Sequence, residues 1–339
     1  MKPLDAQSVL PWLAPVQGQL RAARTQQRLS GALLLVGESG AGAEWLARWT
    51  AALALCTAAQ AQPCGACQSC RWIFEGRHPD CLTVSPVEES KEIRIEQIRD
   101  MAEEMSLTSH AGGLKVGILM PADRMNRFAA NALLKTLEEP PGRALLILVA
   151  AMPSRLPATI RSRCQRLNLP RPPLDVAAAW LTQQAGAGGW AELLAIIGPA
   201  PLTALGMDAA HSAALRAETE RALAIPTLAE LDPVATAERW SKEDYDLRLR
   251  CIETWLTNRI VEWTGQAGAE GEMRHRAQLR EPLPSLNIRT LFDVLDAVRE
   301  TRSLAETPVN RSLMLERLLW MLRGSGASAR RAGGRAITT

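Results

Sequence analysis

The sequence predicts an α/β domain built on a parallel sheet, followed by helical domains. Three observations predict it. Short apolar runs alternate with helical patterns up to about residue 168, these runs lack polar alternation, and only helical patterns follow them. Runs without alternation are typical of strands buried on both faces. Strand–helix alternation favours a three-layer domain with helices on both faces of the sheet.

Four apolar runs are predicted as strands: "GALLLVG" (31–37), "CLTVSP" (81–86), "LKVGILM" (114–120) and "ALLILVA" (144–150). The clearest helix between them is "DRMNRFAANALLKTLEEPPG", which ends at Pro140, Pro141 and Gly142. Its apolar residues recur at helical spacing and predict one buried face. That face comprises Met125, Phe128, Ala129, Ala132, Leu133 and Leu137.

Composition divides the chain into four predicted parts. Residues 1–168 form the α/β domain, with a metal module at 56–70. The proline-rich "LPRPPLD" precedes a small helical domain at 169–206, and a helical domain at 207–322 follows. Residues 323–339 carry four Arg and no acid, and are predicted to be a disordered tail or, alternatively, a weak phosphate contact.

Charge and hydropathy exclude several classes of protein. The net charge is +3, but without residues 323–339 there are 35 basic and 36 acidic residues, so no global field for nucleic acid is expected. No apolar run reaches the ~18 residues of a membrane span, and the first residues make a poor signal peptide. We therefore expect a cytoplasmic protein without a membrane partner, in which clustered cysteines indicate a metal rather than disulfides.

The segment "GESGAGAE" (37–44) lies where a phosphate-binding loop would follow the first strand. Gly37 and Gly42 occupy the two glycine positions of G-x-x-x-x-G-K-[ST], and Gly40 lies between them. Ala43 replaces the lysine that holds the phosphates, and Glu44 replaces the hydroxyl residue that binds Mg²⁺. The glycines can be retained for the turn alone.

Two further nucleotide contacts are missing. Met120 and Pro121 follow the third strand, where a working ATPase carries an acidic pair. Asp123 comes three residues late, and the cap of the following helix is the favoured interpretation. The fourth strand ends in "AAMP", without a Thr or Asn to contact a γ-phosphate. Together these losses predict that no functional ATP site remains.

Four cysteines predict a structural zinc site. Cys56, Cys64, Cys67 and Cys70 form C-x7-C-x2-C-x2-C, and four thiolates can surround Zn²⁺ tetrahedrally. With every position filled by sulfur, the metal has no open site for substrate. Four free thiols or a redox pair are the alternatives.

The remaining thiols and one histidine have less specific surroundings. His78 could compete as a ligand, but a local structural role is favoured. Cys81, Cys164 and Cys251 lie in apolar contexts and are predicted to be buried.

The stretch from "KVGILM" to "RSRCQRL" resembles one family. "NALLKTLEEPP" and "TIRSRCQ" are its most specific motifs, and they are similar to those of the clamp-loader ATPases of bacterial replication, within the AAA+ superfamily. The resemblance covers the first ~170 residues firmly. It implies a RecA-like sheet domain, a zinc-binding insertion at the four cysteines, a small helical lid and an all-α collar.

The resemblance also implies roles for individual residues. Arg163, in "SRC", matches an arginine that reaches across a subunit interface into a neighbour's ATP site. Such an arginine is suited to phosphate because its guanidinium is planar and always charged. A surface ion pair is the alternative role, and Arg161 is a possible substitute. Asn131 and Lys135 could contact a partner or DNA, or only solvent.

The resulting hypothesis is a subunit of the DNA polymerase III clamp loader that does not hydrolyse ATP. The resemblance implies partnership with motor (gamma/tau) and delta subunits in a hetero-pentamer that loads the sliding clamp onto primed DNA. The chain would be an accessory subunit of a DNA-directed DNA polymerase, a nucleotidyltransferase. An ATP-hydrolysing motor subunit and a stand-alone zinc-ribbon DNA-binding protein are the alternatives.

Overall fold

The computed structural model describes residues 4–332 except 30, 59–61, 88–90, 111–112, 225–227, 229, 265–287 and 305–308. The chain divides into two compact units. The first comprises Met1–Ala187 and Pro199–Gly206, and the second comprises Gly188–Gly198 and Met207–Thr339. Residues 169–206 are thus shared between the units, and the predicted lid and collar boundaries stay a prediction.

The first unit contains a parallel sheet, as predicted. Its strands are β1 (Gly31–Val36), β2 (Cys81–Val84), β3 (Lys115–Leu119), β4 (Ala144–Ala150) and β5 (Gln165–Asn168), in the order β2-β3-β4-β1-β5. All residues of β3 and β4 are buried, which explains their continuous apolar runs. Strand β5 was not predicted from the sequence because this edge strand buries only Leu167.

Helices connect the strands and form the second unit. In the described residues they are α1 (Ala14–Thr25), α2 (Ala43–Leu55), α3 (Gln68–Phe74), α4 (Ile95–Ser106), α5 (Arg127–Glu138), α6 (Ala158–Arg161), α7 (Leu174–Ala185), α8 (Trp190–Ile197), α9 (Pro201–Ala204), α10 (Ala209–Leu223), α11 (Pro233–Lys242), α12 (Tyr245–Thr264), α13 (Ile288–Ser303) and α14 (Arg311–Ala332). None of these helices is long and apolar enough to cross a membrane.

Helix α5 follows the predicted pattern with one correction. Asn126 caps its first turn by accepting the N–H of Ala129 at 2.9 Å. Leu133 and Leu137 pack into the core with α4 and the sheet. Phe128, predicted to lie on that face, is 67% exposed. It borders the groove between α4 and α5 and remains exposed to solvent there.

The second unit has its own apolar core. Residues of α11, α12, α13 and α14 contribute to it, with Trp240 among the largest fully buried side chains. Helix α14 continues through Ala332, so the predicted disordered tail is wrong for residues 323–332. Residues 333–339 lie outside the described residues.

Candidate functional site

The loop after β1 has two glycines with positive φ angles, as a tight strand-to-helix turn requires. Gly40 has φ +75° and Gly42 has φ +105°, a conformation that side chains with a Cβ rarely adopt. Gly42 is the residue before α2, which begins at Ala43. Ala43 is buried, whereas Glu44 is exposed in the first turn. A carboxylate therefore stands at the helix N-terminus, where the helix dipole would otherwise favour a phosphate.

Residues of the same unit pack directly on this loop. The N–H of Leu202, in α9, donates to the carbonyl oxygen of Gly40 at 2.9 Å. A Cβ placed on Gly40 would lie 2.2 Å from Thr203 Oγ1 and 2.9 Å from Ala200 Cβ. The segment 198–206, "GPAPLTALG", contains no basic residue to oppose phosphate charge. Helix α9 thus covers the loop with apolar and hydroxyl groups.

The N-terminal segment closes the loop from another direction. Trp12 Nε1 donates to the carbonyl oxygen of Ala41 at 2.7 Å. A Cβ on Gly42 would lie 2.7 Å from Leu10 Cδ2 and 3.1 Å from Leu13 Cδ1. These leucines are completely buried. Short-range sequence patterns did not predict this packing, because the contacting segments are distant in the chain.

The tight packing on Gly40 predicts a specific loss of stability. Gly40→Ala is expected to destabilise the protein by about 1–2 kcal/mol from the positive φ and by a further ~1–3 kcal/mol from the clash with Thr203. Gly76→Ala is the matched control, because Gly76 has φ +73° and a Cβ added there would meet no atom within 4 Å. Urea denaturation should resolve the difference. Equal destabilisation by both substitutions would contradict the packing of α9 on the loop.

The ends of β3 and β4 meet beside the loop without forming an acidic site. Asp123 Oδ2 accepts the N–H of Met152 at 2.8 Å and so ties together the segments that follow the two strands. The interpretation of Asp123 as the cap of the following helix was wrong, since Asn126 fills that role. Asp123 lies in a 3-10 turn, Ala122–Arg124, where its carboxylate reaches the segment after the neighbouring strand instead.

The four predicted metal ligands converge. The sulfur atoms of Cys56, Cys64, Cys67 and Cys70 all lie within 4.8 Å of one another. The Sγ atoms of Cys56 and Cys67 are 3.9 Å apart, and those of Cys64 and Cys70 are 4.0 Å apart. A tetrahedral Zn²⁺ with Zn–S bonds of about 2.3 Å requires S–S distances of about 3.8 Å. The four side chains therefore fit a zinc ion.

Backbone donors surround these sulfurs. The N–H of Cys67 donates to Cys64 Sγ at 3.2 Å, and the N–H of Cys70 donates to Cys67 Sγ at 3.5 Å. Burial raises the pKa of Cys56 and of Cys70. Burial also raises the pKa of Cys67, but hydrogen bonds from the backbone N–H groups of Cys70 and Thr57, together with side-chain hydrogen bonds to Cys70 and Cys64, lower it to about 6. Such donors stabilise the thiolates that a metal needs.

The metal module is attached to the N-terminal part of the chain. Gln7 Nε2 donates to the carbonyl oxygen of Cys64 at 3.0 Å. Arg24, in α1, donates to the carbonyl oxygens of Leu53 and Cys56 at the end of α2. The cysteine loop thereby supports the same N-terminal segment that covers the phosphate loop.

His78 is placed by local contacts and is not part of the cysteine group found among the described residues. Its Nδ1 accepts the N–H of Asp80 at 3.0 Å, and its ring packs edge-on against Trp72. Burial lowers the pKa of His78, so the neutral form is favoured at pH 7. Of the other thiols, Cys251 is buried while Cys81 and Cys164 are partly buried, and burial raises the pKa of each.

Arg163 lies at the surface, between α6 and β5. Its Nη1 donates to the carbonyl oxygen of Thr159 at 3.0 Å, and its Nη2 is 2.5 Å from Glu138 Oε1. The Arg163 side chain is 38% exposed. The guanidinium of Arg161 makes no hydrogen bond or ion pair with any described residue. Arg163 is thus the better fixed of the two candidates.

Asn131 and Lys135 line one groove between α4 and α5. The groove has a volume of about 500 Å³, and Phe128 and Arg99 also border it. Both predicted residues are exposed, which is compatible with a partner surface and with a solvated one.

Comparison with known proteins identifies relatives. A family model described as DNA polymerase III, delta subunit, matches residues 14–173. Subunit delta' of DNA polymerase III from Pseudomonas aeruginosa is 34% identical over 320 residues, which cover 92% of this chain and 96% of that protein. Subunit delta' from Escherichia coli is 35% identical over 175 residues, 51% of this chain and 52% of that protein.

A tau subunit and one solved structure are also similar to this chain. Subunit tau of DNA polymerase III from Escherichia coli is 36% identical over 143 residues, which cover 42% of this chain and 22% of that protein. A solved structure of a DNA polymerase III gamma subunit-related protein from Thermotoga maritima aligns with 91% of this chain at 19% identity, with a TM-score of 0.46.

The parallel sheet, the loop after β1 and the "NALLKTLEEPP" and "SRC" motifs define an AAA+ protein of the clamp-loader class. Within that class, the match along nearly the whole Pseudomonas protein is decisive. The chain belongs to the family of DNA polymerase III delta' subunits.

Proposed function

We propose that this chain works in the clamp loader without hydrolysing ATP and assists a neighbouring ATPase. It would assemble with motor (gamma/tau) and delta subunits in a hetero-pentamer that places the sliding clamp on primed DNA. It would hold a structural zinc ion at its four cysteines and offer Arg163 to the neighbour's γ-phosphate.

One observation supports the absence of ATP turnover: the loop after β1 lacks the lysine and the hydroxyl residue that hold a triphosphate and Mg²⁺, and the chain's own residues pack against this loop. Leu202 and Trp12 use the loop carbonyl oxygens, and Thr203 and Leu10 occupy the space beside its glycines. A triphosphate would need a cation in the loop and a hydroxyl group for Mg²⁺. Ala43 and Glu44 supply neither a cation nor a hydroxyl group.

Restoring the two missing side chains is expected not to restore nucleotide binding. A43K/E44T rebuilds G-x-x-x-x-G-K-[ST], but the chain still lacks an acidic pair after β3, and the loop stays packed against α9 and the N-terminal segment. We expect no saturable binding of Mg·ATP by calorimetry, either to the natural chain or to this variant. Binding by the variant alone would show that only side chains were missing. Binding and cleavage by the natural chain would reject the proposal.

An ATP-hydrolysing motor subunit remains the second candidate, favoured by the similarity to subunit tau. Calorimetric titration with Mg·ATP separates the two candidates, because a motor subunit must bind Mg·ATP on its own. A stand-alone DNA-binding protein is disfavoured by the near-neutral charge outside residues 323–339.

A further inference from the structure

We propose that Glu138 is a positioning residue that holds the Arg163 guanidinium ready for the ATP site of the neighbouring subunit. This inference rests on the proposed function of Arg163. Glu138 is the last residue of α5, within "KTLEEPP", and Arg163 belongs to "SRC". The structure brings these two motifs together through the 2.5 Å contact between Glu138 Oε1 and Arg163 Nη2.

The position of Glu138 is unfavourable for helix stability alone. A carboxylate in the last turn of a helix faces the negative end of the helix dipole. Glu138 is also 51% exposed, so its ion pair with Arg163 adds little to folding stability. The folding stability of the chain therefore does not account for an acidic residue at position 138. Its ion pair can instead orient the guanidinium of Arg163.

Residues adjacent to Glu138 and near Arg163 belong to the buried core of the first unit. Leu137, next to Glu138, and Ile160, in α6, belong to the same buried core cluster. The backbone N–H of Arg163 donates to the carbonyl oxygen of Ile160 at 3.1 Å. Packing therefore fixes the relative placement of the two backbone segments from which the carboxylate and the guanidinium extend.

The contacts of Arg163 with Thr159 and Glu138 leave some of its N–H donors free to bind phosphate. A guanidinium has five N–H donors. Thr159 engages Nη1 and Glu138 engages Nη2, which fixes the plane of the group while other donors stay free for phosphate oxygens. Preorganisation of this kind lowers the entropy lost when the transition state forms.

The test uses the complete loader reconstituted with motor subunits, delta, the clamp and primed DNA. In a ring whose other interfaces lack their own arginines, we expect Glu138→Gln to lower the ATPase kcat by about ten-fold, with little change in KM, in melting temperature or in ring assembly. Glu139→Gln is the matched control, because the Glu139 carboxylate is exposed and has no hydrogen bond or ion pair among the described residues. It should leave kcat unchanged.

A double-mutant cycle separates positioning from other roles. In the Arg163→Ala background, Glu138→Gln should cause no further loss of kcat, because it acts only through the arginine. An equal loss in both backgrounds would reject positioning, and so would a normal or raised kcat for Glu138→Gln alone. If Arg163→Ala itself leaves kcat unchanged, the proposed function of Arg163 fails; if only Glu138→Gln is silent, this inference fails and that function stands.

Discussion

Arg163→Ala is expected to lower the ATPase kcat of the assembled loader by about 10³-fold, the lower range for arginines supplied in trans to a nucleotide site. The cause is electrostatic. Negative charge that accumulates on the transferred phosphoryl group would lose its opposing cation at the subunit interface. The expected loss refers to the site that receives Arg163, so single-turnover kinetics should be measured in a ring whose other interfaces lack their own arginines.

The fold of the variant should be unaffected. Arg163 and Glu138 are 38% and 51% exposed, and pairs of this kind contribute about 0–1 kcal/mol. Melting temperature and co-elution with the motor and delta subunits check this. Arg161→Ala is the matched control, since Arg161 is two residues away, exposed and equally charged. Arg163→Lys should recover only part of the rate, because lysine keeps the charge but not the planar pair of donors.

Two outcomes would contradict the trans role. An unchanged ATPase rate in the ring that contains Arg163→Ala would mean that Arg163 forms only a surface ion pair and has no role in turnover. An equal loss with Arg161→Ala would show that general surface charge, rather than one guanidinium, supports turnover.

The sheet and the convergence of the four cysteines could be predicted from the sequence because their signals are local. Continuous apolar runs such as 144–150 mark strands that are buried on both faces. The short cysteine spacings place four sulfurs in one segment of the chain, and the sulfurs converge there. In both cases residues close in sequence carry the whole pattern.

Other features could not be predicted because they depend on distant segments. Leu202 and Thr203 cover a loop that lies more than 150 positions earlier in the chain. Hydrophobic periodicity describes single helices and strands, so it does not predict such a contact. The carboxylate of Asp123 accepts a hydrogen bond from the N–H of Met152, just after the neighbouring strand. From the sequence alone, an aspartate at this position is interpreted as a helix cap. Helical spacing placed Phe128 on a buried face, but spacing gives the direction of a side chain and not whether a neighbour covers it.

Removal of zinc is expected to unfold the segment 56–70 and to destabilise the N-terminal part of the chain. Structural zinc in small peptides contributes roughly 10 kcal/mol or more at neutral pH. Part of that stabilisation should reach beyond the module, because Cys64 accepts a hydrogen bond from Gln7 and Cys56 accepts one from Arg24. Loss of the loop would release these contacts and loosen the segment that carries Trp12 onto the phosphate loop.

The measurement combines metal analysis with calorimetry on the natural chain and on Cys67→Ser. The natural chain should contain about one zinc per molecule, since four thiolates fill one tetrahedral site. Cys67→Ser should lose most of that metal and show a lower melting temperature, as should the natural chain after treatment with a strong chelator. Cys81→Ser is the control, because Cys81 lies outside the cysteine group and should leave zinc content unchanged. Full stability and normal clamp-loader assembly without zinc would contradict the prediction. The segment 56–70 would then fold by packing alone, although its four thiols are arranged as in a metal site.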